Sequence, residues 1–360
     1  MPGHTPITIP SEPQSPSSRR GSRSTELSRG SEHSGSAASS TTSLSHHRKA
    51  RRQEKVHLQE VEQTLLITLF WKTLDAQSAR PVLGCRRAAE VLARLEDVGW
   101  LEGAYGTDPR WVRYAAGRAA RLDAWTAEFL AAWPGRRVTV LHLACGLDSR
   151  DRRVARDPEL VRWVDVDRPL VANLRERLMT DGGGGLCGGG GGGCGEDKGE
   201  EETSLRPVGD YSLRSLNVTE GRWYSDIPAD RPTLVVAEGL FPFLTPAEAE
   251  GVIRGLAGYF GQGQLVFDTV GSLAVSHTRR ANVLKPSGSR FRWGVDDARD
   301  VLAFHDKLRL RDQVRWFEFM GVEGEISRET APPWFGPKAM TVAQFTSSFK
   351  DNGQVLRFDF

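Results

Sequence analysis

Acidic or amide side chains stand at the ends of four apolar segments of this chain. They are, in chain order, Asp148 in the turn after VTVLHL (138–143), Asp167 at the end of VRWVDVD (161–167), Asn217 in YSLRSLNV (211–218) and Glu238 after TLVVA. Each segment has the length and composition of a β-strand. Because open sheets of parallel strands bind ligands beyond the carboxyl ends of their strands, we expect these side chains to surround one ligand.

The turn from Ala144 to Asp148 restricts the class of that ligand. A dinucleotide site uses G-x-G-x-x-G, which brings a pyrophosphate to a helix N-terminus. Here the glycine pattern is incomplete, Asp148 would repel a pyrophosphate, and the chain has no G-x-x-x-x-G-K-[ST] phosphate loop. S-adenosylmethionine lacks phosphate but has a cationic centre, an amino group and a ribose, which suit acid-lined strand ends. Asp167 stands 21 residues after Gly146, about the spacing at which an acid reaches ribose hydroxyls.

The elements that must position these residues alternate between strand and helix, which predicts an α/β fold with a parallel sheet. A fifth strand is predicted at QLVFDTV (264–270), and amphipathic helices at 61–77 and 118–133 are expected to form an N-terminal helical cap over the open end of the sheet. Thr245 and Glu248 form a capping box for the helix after the fourth strand. The C-terminal SFKDNGQVLRFDF predicts an antiparallel hairpin that turns at Asn352-Gly353.

Composition excludes several functional classes. The formal net charge of the 360 residues is +2, while residues 1–55 hold nine Lys/Arg against four Glu, so the rest of the chain carries about −3. A slightly acidic body argues against a nucleic-acid groove. The sequence contains no run of 18 apolar residues, so no membrane helix is predicted. The N-terminus lacks the apolar stretch of a signal peptide. Four cysteines do not make a disulfide framework, so we expect a cytoplasmic protein.

Two segments of low complexity divide the chain. Residues 1–55 contain 14 serines and no hydrophobic periodicity, which predicts a disordered Ser/Arg-rich tail before a domain at 56–360. Residues 181–203 are glycine-rich and then acidic, which predicts a flexible insertion within that domain. Cys187 and Cys194 in this insertion have only glycines between them and no nearby histidine, so no metal site is expected.

Several collinear motifs resemble the leucine carboxyl methyltransferase family, and most closely its branch of tetracenomycin polyketide O-methyltransferases. The motifs are EQTLLITL, GRAARLDAWTAEFL, VLHLACGLDSR, VRWVDVDRPLVANLRERL, RPTLVVAEGLFPFLTPAEAE, GQLVFDTV and FRWGVDD. They span roughly residues 56–360. The resemblance implies a Rossmann-like, seven-stranded, mostly parallel sheet with helices on both faces. It also implies methyl transfer from S-adenosylmethionine to an oxygen of a small acceptor, without nucleic-acid or membrane partners.

The resemblance also implies roles for particular residues. It assigns the cofactor's carboxylate to Arg118, its methionine part to Ala144, Cys145, Gly146 and Glu238, its ribose to Asp167, and its adenine to Asn217 and Val218. Each residue has a structural alternative. Arg118 could pair with an acid on its own helix, Asp167 could cap the following helix, and Asn217 could be a turn residue. Glu238 is harder to explain in this way, since an acid after a buried run needs a partner.

Departures from the family pattern concern the acceptor more than the cofactor. Ala144 replaces a common glycine, Phe243 stands where the family usually has tyrosine, and Cys85 stands where an aspartate is common. A carboxylate acceptor needs no general base near pH 7, whereas a phenol does. The candidate bases and anion clamps, none of them assigned as catalytic, are His277, His305, Arg279, Arg280 and Arg292.

Three other functions remain open at this point. The chain could methylate the C-terminal leucine carboxyl of a protein. It could instead be a catalytically inactive methyltransferase fold that binds partners through its tail. A nicotinamide-dependent dehydrogenase is the third, and Asp148 argues against it. The oligomeric state is not predicted.

Overall fold

A computed structural model describes residues 53–55, 58–179, 210–278, 284–319 and 353–360. Most of the predicted tail, the whole glycine-rich insertion, and Arg279 and Arg280 lie outside these residues. The tail's last three residues are described, and Glu54 forms a parallel β-bridge with Leu95. No helix in the described ranges is both long and apolar enough to cross a membrane.

A mixed sheet of seven strands forms the centre of the structure. The strands are β1 (Val138–Leu143), β2 (Val161–Asp167), β3 (Tyr211–Ser215), β4 (Thr233–Ala237), β5 (Gly263–Thr269), β6 (Arg309–Arg315) and β7 (Gln354–Asp359). Their order is β3-β2-β1-β4-β5-β7-β6. The first five strands are parallel, and β7 runs antiparallel to both β5 and β6. The sheet confirms the predicted Rossmann-like α/β fold.

The order of the strands reverses between β1 and β4. From β1 the chain proceeds outward through β2 to β3, and it then returns to pair β4 with the other edge of β1. Leu143, at the end of β1, is aligned with Val166 on one side and Ala237 on the other. Connections diverge above such a switch point and leave a crevice at the carboxyl ends of the strands. The residues that follow β1, β2 and β4 therefore meet there.

Helices cover both faces of the sheet and the open end. They are α1 (Thr64–Gln77), α2 (Arg86–Leu92), α3 (Trp100–Tyr105), α4 (Pro109–Ala131), α5 (Arg150–Arg153), α6 (Pro169–Met179), α7 (Pro246–Tyr259), α8 (Ser272–His277) and α9 (Trp316–Phe319). Two of them begin at clear caps. The side chain of Asp108 accepts a hydrogen bond from the backbone N–H of Arg110 at the start of α4. Thr245 and Glu248 form the predicted capping box of α7.

The alternation of side chains along the strands separates two apolar layers. Leu141 of β1 packs with Ile253 of α7 in one buried cluster. The adjacent Val140 packs on the opposite face with Trp125 and Phe129 of α4. A third cluster lies among α1, α2 and α3 and includes Leu66 and Leu69 of α1. α1 in this third layer is one of the two helices of the predicted N-terminal cap. The other, 118–133 in α4, packs on a face of the sheet.

The C-terminal antiparallel strands are present, and both edges of β7 are occupied, since Phe358 is aligned with Leu265 of β5 and with Leu310 of β6. Asn352 and the residues before it in the predicted hairpin lie outside the described residues. β6 lies at the edge of the sheet and is largely polar, so it lacks the apolar run by which buried strands are recognised.

Candidate functional site

A cavity of about 1280 Å³ opens at the carboxyl ends of the parallel strands. Strand ends form its floor, and α1 and α4 contribute side chains to its walls. All the residues predicted to contact a cofactor line it, namely Arg118, Ala144, Cys145, Gly146, Asp167, Asn217, Val218 and Glu238. The sheet thus brings together residues that are up to 120 positions apart in the sequence, as Arg118 and Glu238 are.

The turn after β1 has an unusual backbone. Ala144 has φ +49° and Gly146 has φ +53°, so both residues adopt the left-handed conformation. This conformation suits glycine but costs an L-residue with a Cβ atom about 1 kcal/mol. Cys145 between them is buried, and its backbone N–H donates to the carbonyl of Val166 in β2. The turn therefore crosses toward β2 and closes the floor of the cavity.

Asp167 lies at the end of β2, beside that turn. One carboxylate oxygen accepts a hydrogen bond of 2.7 Å from the N–H of Gly146, and the other accepts one of 2.7 Å from the N–H of Arg168. Burial nevertheless raises the pKa of Asp167, since the two backbone donors only partly offset its desolvation. The contact with Arg168 satisfies a backbone group just before α6, whereas the contact with Gly146 shapes the cavity.

Asn217 is a turn residue, which was the structural alternative to a role at the cofactor. Its Oδ1 accepts hydrogen bonds from the backbone N–H and the hydroxyl of Thr219, which makes an Asx turn. Its Nδ2 donates to Glu220 at 3.2 Å. Val218 is buried, and its carbonyl accepts a hydrogen bond from Trp223 Nε1. Asn217 is therefore a turn residue that also lines the cavity.

Glu238 is held by three cations. Its carboxylate lies 2.9 Å from Lys72 Nζ, 3.1 Å from Arg118 Nη2 and 2.6 Å from Arg150 Nη2. Desolvation would raise the pKa of Glu238, but the three cations outweigh it and hold that pKa well below its usual value. Glu238 is therefore ionised, and it is not a proton acceptor for chemistry near neutral pH.

Arg118 bridges two strand ends. It donates to Glu238 after β4 and to Asp268 in β5, the latter at 2.8 Å. The alternative in which it pairs with an acid of its own helix is wrong. Its Nε is buried and has no hydrogen-bond partner among the described residues. The side chain of Arg118 also lines the cavity.

Asp148 does not present a bare negative charge to a ligand. Its carboxylate contacts Lys72 at 2.8 Å and also pairs with Arg153. Desolvation opposes ionisation, but Arg153 and Lys72 hold the pKa of Asp148 well below its usual value. The repulsion that the sequence suggested is therefore largely neutralised. The exclusion of a pyrophosphate rests instead on the incomplete glycine pattern.

Sequence reasoning missed three cations of this cluster. Lys72 lies on α1, Arg150 begins α5, and Arg153 ends it. Arg150 is fully buried and also contacts Asp123 at 2.6 Å. The available signals were a lysine inside the apolar stretch LLITLFWKTL and two arginines next to a small-residue turn. With Arg118, these cations balance the four carboxylates of Asp123, Asp148, Glu238 and Asp268.

The candidate bases and anion clamps that the sequence indicated lie in different parts of the structure. His277 ends α8, lines the cavity and is exposed. Its Nδ1 lies 3.0 Å from the carbonyl oxygen of Leu273 and 2.9 Å from the hydroxyl oxygen of Ser276. His305 does not line the cavity, and its Nδ1 accepts from the backbone of Lys307. Arg292 lines the cavity, 3.6 Å from Glu248.

Two residues that depart from the family pattern, Cys85 and Phe243, contact neighbouring side chains. The Sγ of Cys85 lies 3.3 Å from Ser149 Oγ and 3.6 Å from Arg153 Nη1. Phe243 packs against Phe291, with ring centroids 5.4 Å apart. No group of three or more His, Cys, Asp or Glu residues in the described ranges is arranged to hold a metal ion.

Comparison with known proteins gives consistent matches. The leucine carboxyl methyltransferase family matches residues 74–257. The tetracenomycin polyketide synthesis O-methyltransferase TcmP of Streptomyces glaucescens is 34% identical over 72% of this chain and 84% of that protein. The S-adenosyl-L-methionine-dependent methyltransferase dpfgK of Gibberella zeae is 32% identical over the same shares. A DUF574 family protein of Streptomyces avermitilis has a similar structure, with TM-score 0.45 and 14% identity over 79% of this chain and 98% of that one.

Proposed function

The chain belongs to the leucine carboxyl methyltransferase family, and we propose that it transfers a methyl group from S-adenosylmethionine to an oxygen of a small, polyketide-like or other secondary-metabolite acceptor. The observation that carries this proposal is the position of Asp167. Its carboxylate lies next to the turn after β1, at the switch point of a parallel sheet, and lines a cavity of about 1280 Å³. Cavities for a single ligand usually measure about 300–1000 Å³. The volume therefore suits a cofactor together with an acceptor.

The residues present fit the proposed cofactor. We assign its carboxylate to the guanidinium of Arg118, with Lys72 beside it, because both cations line the cavity. Asp167 would accept hydrogen bonds from the ribose hydroxyls, and its raised pKa indicates a carboxylate that lacks sufficient donors. Ala144, Cys145 and Gly146 would face the methionine part, and Glu238 would fix the two cations. Asn217 and Val218 would border the adenine. The side-chain oxygen of Asn217 is already used in its Asx turn.

The charge pattern favours a carboxylate as the methyl acceptor. When bound, the cofactor supplies an electrophilic methyl group, whose bond to sulfur breaks as the acceptor oxygen forms its new bond to carbon. A carboxylate oxygen loses no proton in this step, so the enzyme need only hold it in line and exclude water. Glu238 and Asp148 are paired with cations and are poor bases. A hydroxyl acceptor is the second candidate, because the imidazole of His277 lines the cavity and would accept its proton.

The alternatives make different predictions. A protein C-terminal carboxyl methyltransferase would label a polypeptide rather than a small molecule. An inactive interaction protein would bind neither S-adenosylmethionine nor S-adenosylhomocysteine. We further propose that residues 56–360 form the catalytic domain, that 1–55 and 181–203 are a tail and an insertion outside the site, and that the protein acts in the cytoplasm without nucleic-acid or membrane partners.

Thermal unfolding with S-adenosylhomocysteine tests the cofactor assignment. At about 100 times its dissociation constant, a ligand stabilises a protein by about 2.7 kcal/mol. We expect a clear rise in the unfolding temperature of the wild type and a much smaller one in Asp167→Ala. Asp226→Ala is the matched control, since Asp226 is exposed and, within the described ranges, forms its ion pair with Arg214. The absence of a shift in the folded wild type would contradict the proposal. Where the shift is present, transfer of labelled methyl to an extract of small carboxylic acids separates the acceptor classes.

A further inference from the structure

The guanidinium of Arg175 lies buried behind the turn that follows β1. Arg175 belongs to α6, is 2% exposed, and does not line the cavity. Its Nη1 donates to the carbonyl oxygen of Gly146 at 3.1 Å and to that of Asp148. On its other side, Gly146 donates its N–H to the carboxylate of Asp167. A side chain outside the cavity therefore holds the residue that orients the Asp167 carboxylate.

A carboxylate that is fixed to the sheet anchors Arg175. The Nη2 of Arg175 donates to Asp165 Oδ2, and its Nε donates to the hydroxyl oxygen of Tyr211 at 3.5 Å. Asp165 is fully buried in β2 and accepts further hydrogen bonds from side chains of three adjacent strands, namely His142 of β1, Trp163 of β2 and Tyr211 of β3. These strands are paired with one another, so the Asp165 carboxylate keeps its place relative to all three. Arg175 thus connects the paired strands to the turn.

The turn depends on contacts of this kind. Ala144 and Gly146 both have left-handed backbone, which is unfavourable for Ala144. Such backbone persists only where the surrounding structure determines it. One guanidinium satisfies three acceptors here, the carbonyls of Gly146 and Asp148 and the Asp165 carboxylate. A lysine in its place would keep the charge but not this planar arrangement of donors.

We propose that Arg175 is a positioning residue for the cofactor, which holds Gly146 where it directs the Asp167 carboxylate toward the ribose. This inference rests on the proposed methyltransferase function. Arg175 acts through Gly146 and Asp167, so its loss weakens the recognition of the ribose hydroxyls in particular. An arginine that served only the stability of the fold would leave that recognition unchanged.

Calorimetric titration of S-adenosylhomocysteine and of its 2′,3′-dideoxy analogue tests this role, because the analogue lacks the hydroxyls that Asp167 would bind. We expect the wild type to bind S-adenosylhomocysteine about tenfold more tightly than the analogue, since hydrogen bonds to a charged group contribute about that factor. In Arg175→Lys this ratio should fall about threefold or more, as expected for residues of one hydrogen-bond network. In Asp167→Ala the ratio should approach one, and adding Arg175→Lys should not change it further.

Arg357→Lys is the matched control. Arg357 is a buried arginine of β7, and its side-chain partners Gln264, Glu128 and Asp312 do not line the cavity. Both lysine variants are expected to lower the unfolding temperature, but only Arg175→Lys should lower the affinity ratio. An unchanged ratio in Arg175→Lys, equal reductions in the two lysine variants, or equal affinities of the two ligands for the wild type would overturn the inference.

Tyr211→Phe provides a milder variant for the case in which Arg175→Lys does not fold. It removes one contact of Asp165 and one of Arg175, and Tyr211 does not line the cavity. Its affinity ratio is expected to fall below that of the wild type, and a wild-type ratio would then overturn the inference. Failure of S-adenosylhomocysteine to bind the wild type would instead contradict the proposed function.

Discussion

Asp167 Oδ2 accepts a hydrogen bond of 2.7 Å from the backbone N–H of Gly146 and so ties the end of β2 to the turn after β1. The two residues lie 21 positions apart, and strand pairing places them side by side. The two backbone donors do not fully offset the desolvation of this carboxylate, because burial still raises its pKa. We interpret this as an acid whose position serves ligand binding at a cost to the stability of the ligand-free protein.

Asp167→Asn should separate stability from binding. An acid whose pKa is raised by folding contributes its relative stability below the unfolded value, about 3.9, and loses it as the pH rises through the folded pKa. At pH 7 the charge of Asp167 therefore opposes folding, and its removal offsets the loss of one of the two backbone N–H contacts, so we expect the ligand-free protein to lose less than about 2 kcal/mol. Affinity for S-adenosylhomocysteine should fall about tenfold or more, through lost charged hydrogen bonds. Urea unfolding and calorimetry measure the two effects, and a loss of stability above about 2 kcal/mol would contradict the interpretation.

Glu238→Gln should have a larger effect on stability. Three cations converge on this carboxylate, and neutralising it leaves Lys72, Arg118 and Arg150 buried with insufficient negative charge. Breaking a buried ion pair in this way typically costs about 3–5 kcal/mol. We expect a loss of this size in the free energy of unfolding in urea. Glu250→Gln is the control, since Glu250 is an exposed residue of α7 that pairs with Arg254, and its loss is expected to be under about 0.5 kcal/mol.

Acid should destabilise the protein through the same cluster. The pKa values of Glu238 and Asp148 are lowered in the folded state, by Lys72 and the neighbouring arginines. Their contribution to stability is therefore fully present above the unfolded values, about 4.3 and 3.9, and it is lost as the pH falls through the folded values. We expect the unfolding free energy to decrease steadily below about pH 4. The slope should be smaller in Glu238→Gln, and an equal slope in both proteins would show that this carboxylate is not responsible.

Ala144→Gly should stabilise the protein slightly. Ala144 has φ +49°, a conformation that costs a residue with a Cβ atom about 1 kcal/mol, whereas the added freedom of glycine in the unfolded chain costs somewhat less. We expect a gain on the order of 0.5 kcal/mol in thermal unfolding. The same substitution at Ala127, an exposed residue in the interior of α4, should instead lose about 0.5–1 kcal/mol. Equal losses at both positions would mean that the turn after β1 relaxes in solution.

The sequence predicted those parts of the fold and site that depend on local pattern. The bounds of β1 and β2 match the predicted segments, because buried parallel strands are nearly continuous apolar runs. The capping box of Thr245 is likewise a local signal. The predicted site residues share one cavity because each stands at or near the end of a strand or on the helix packed above it.

What the sequence did not predict depends on packing between distant elements. Lys72 reaches Asp148 across 76 residues, because α1 lies over the strand ends. A lysine in an amphipathic pattern indicates nothing about which carboxylate it will meet. The partner of β7 was missed for a related reason. Its neighbour β6 is a polar edge strand, and only the completed sheet shows that both edges of β7 are occupied.

Arg150→Lys should show that the shape of this buried cation matters as much as its charge. The guanidinium has a separate partner for each nitrogen, namely Asp123 for Nε, Glu238 for Nη2 and His142 Nε2 for Nη1. Because Arg150 donates to that ring nitrogen, the proton of His142 resides on Nδ1, which donates to Asp165 at 3.1 Å. An ammonium keeps the charge but cannot reach three partners in a plane.

We therefore expect Arg150→Lys to destabilise the protein by about 2–4 kcal/mol and to change the tautomer populations of His142. Nitrogen chemical shifts of the imidazole, measured by NMR, report the second effect directly. Arg254→Lys, at an exposed pair on α7, should change neither quantity. If Arg150→Lys keeps both the wild-type stability and the Nδ1–H tautomer, then charge alone holds the cluster together, and the planar contacts of Arg150 do not position Glu238.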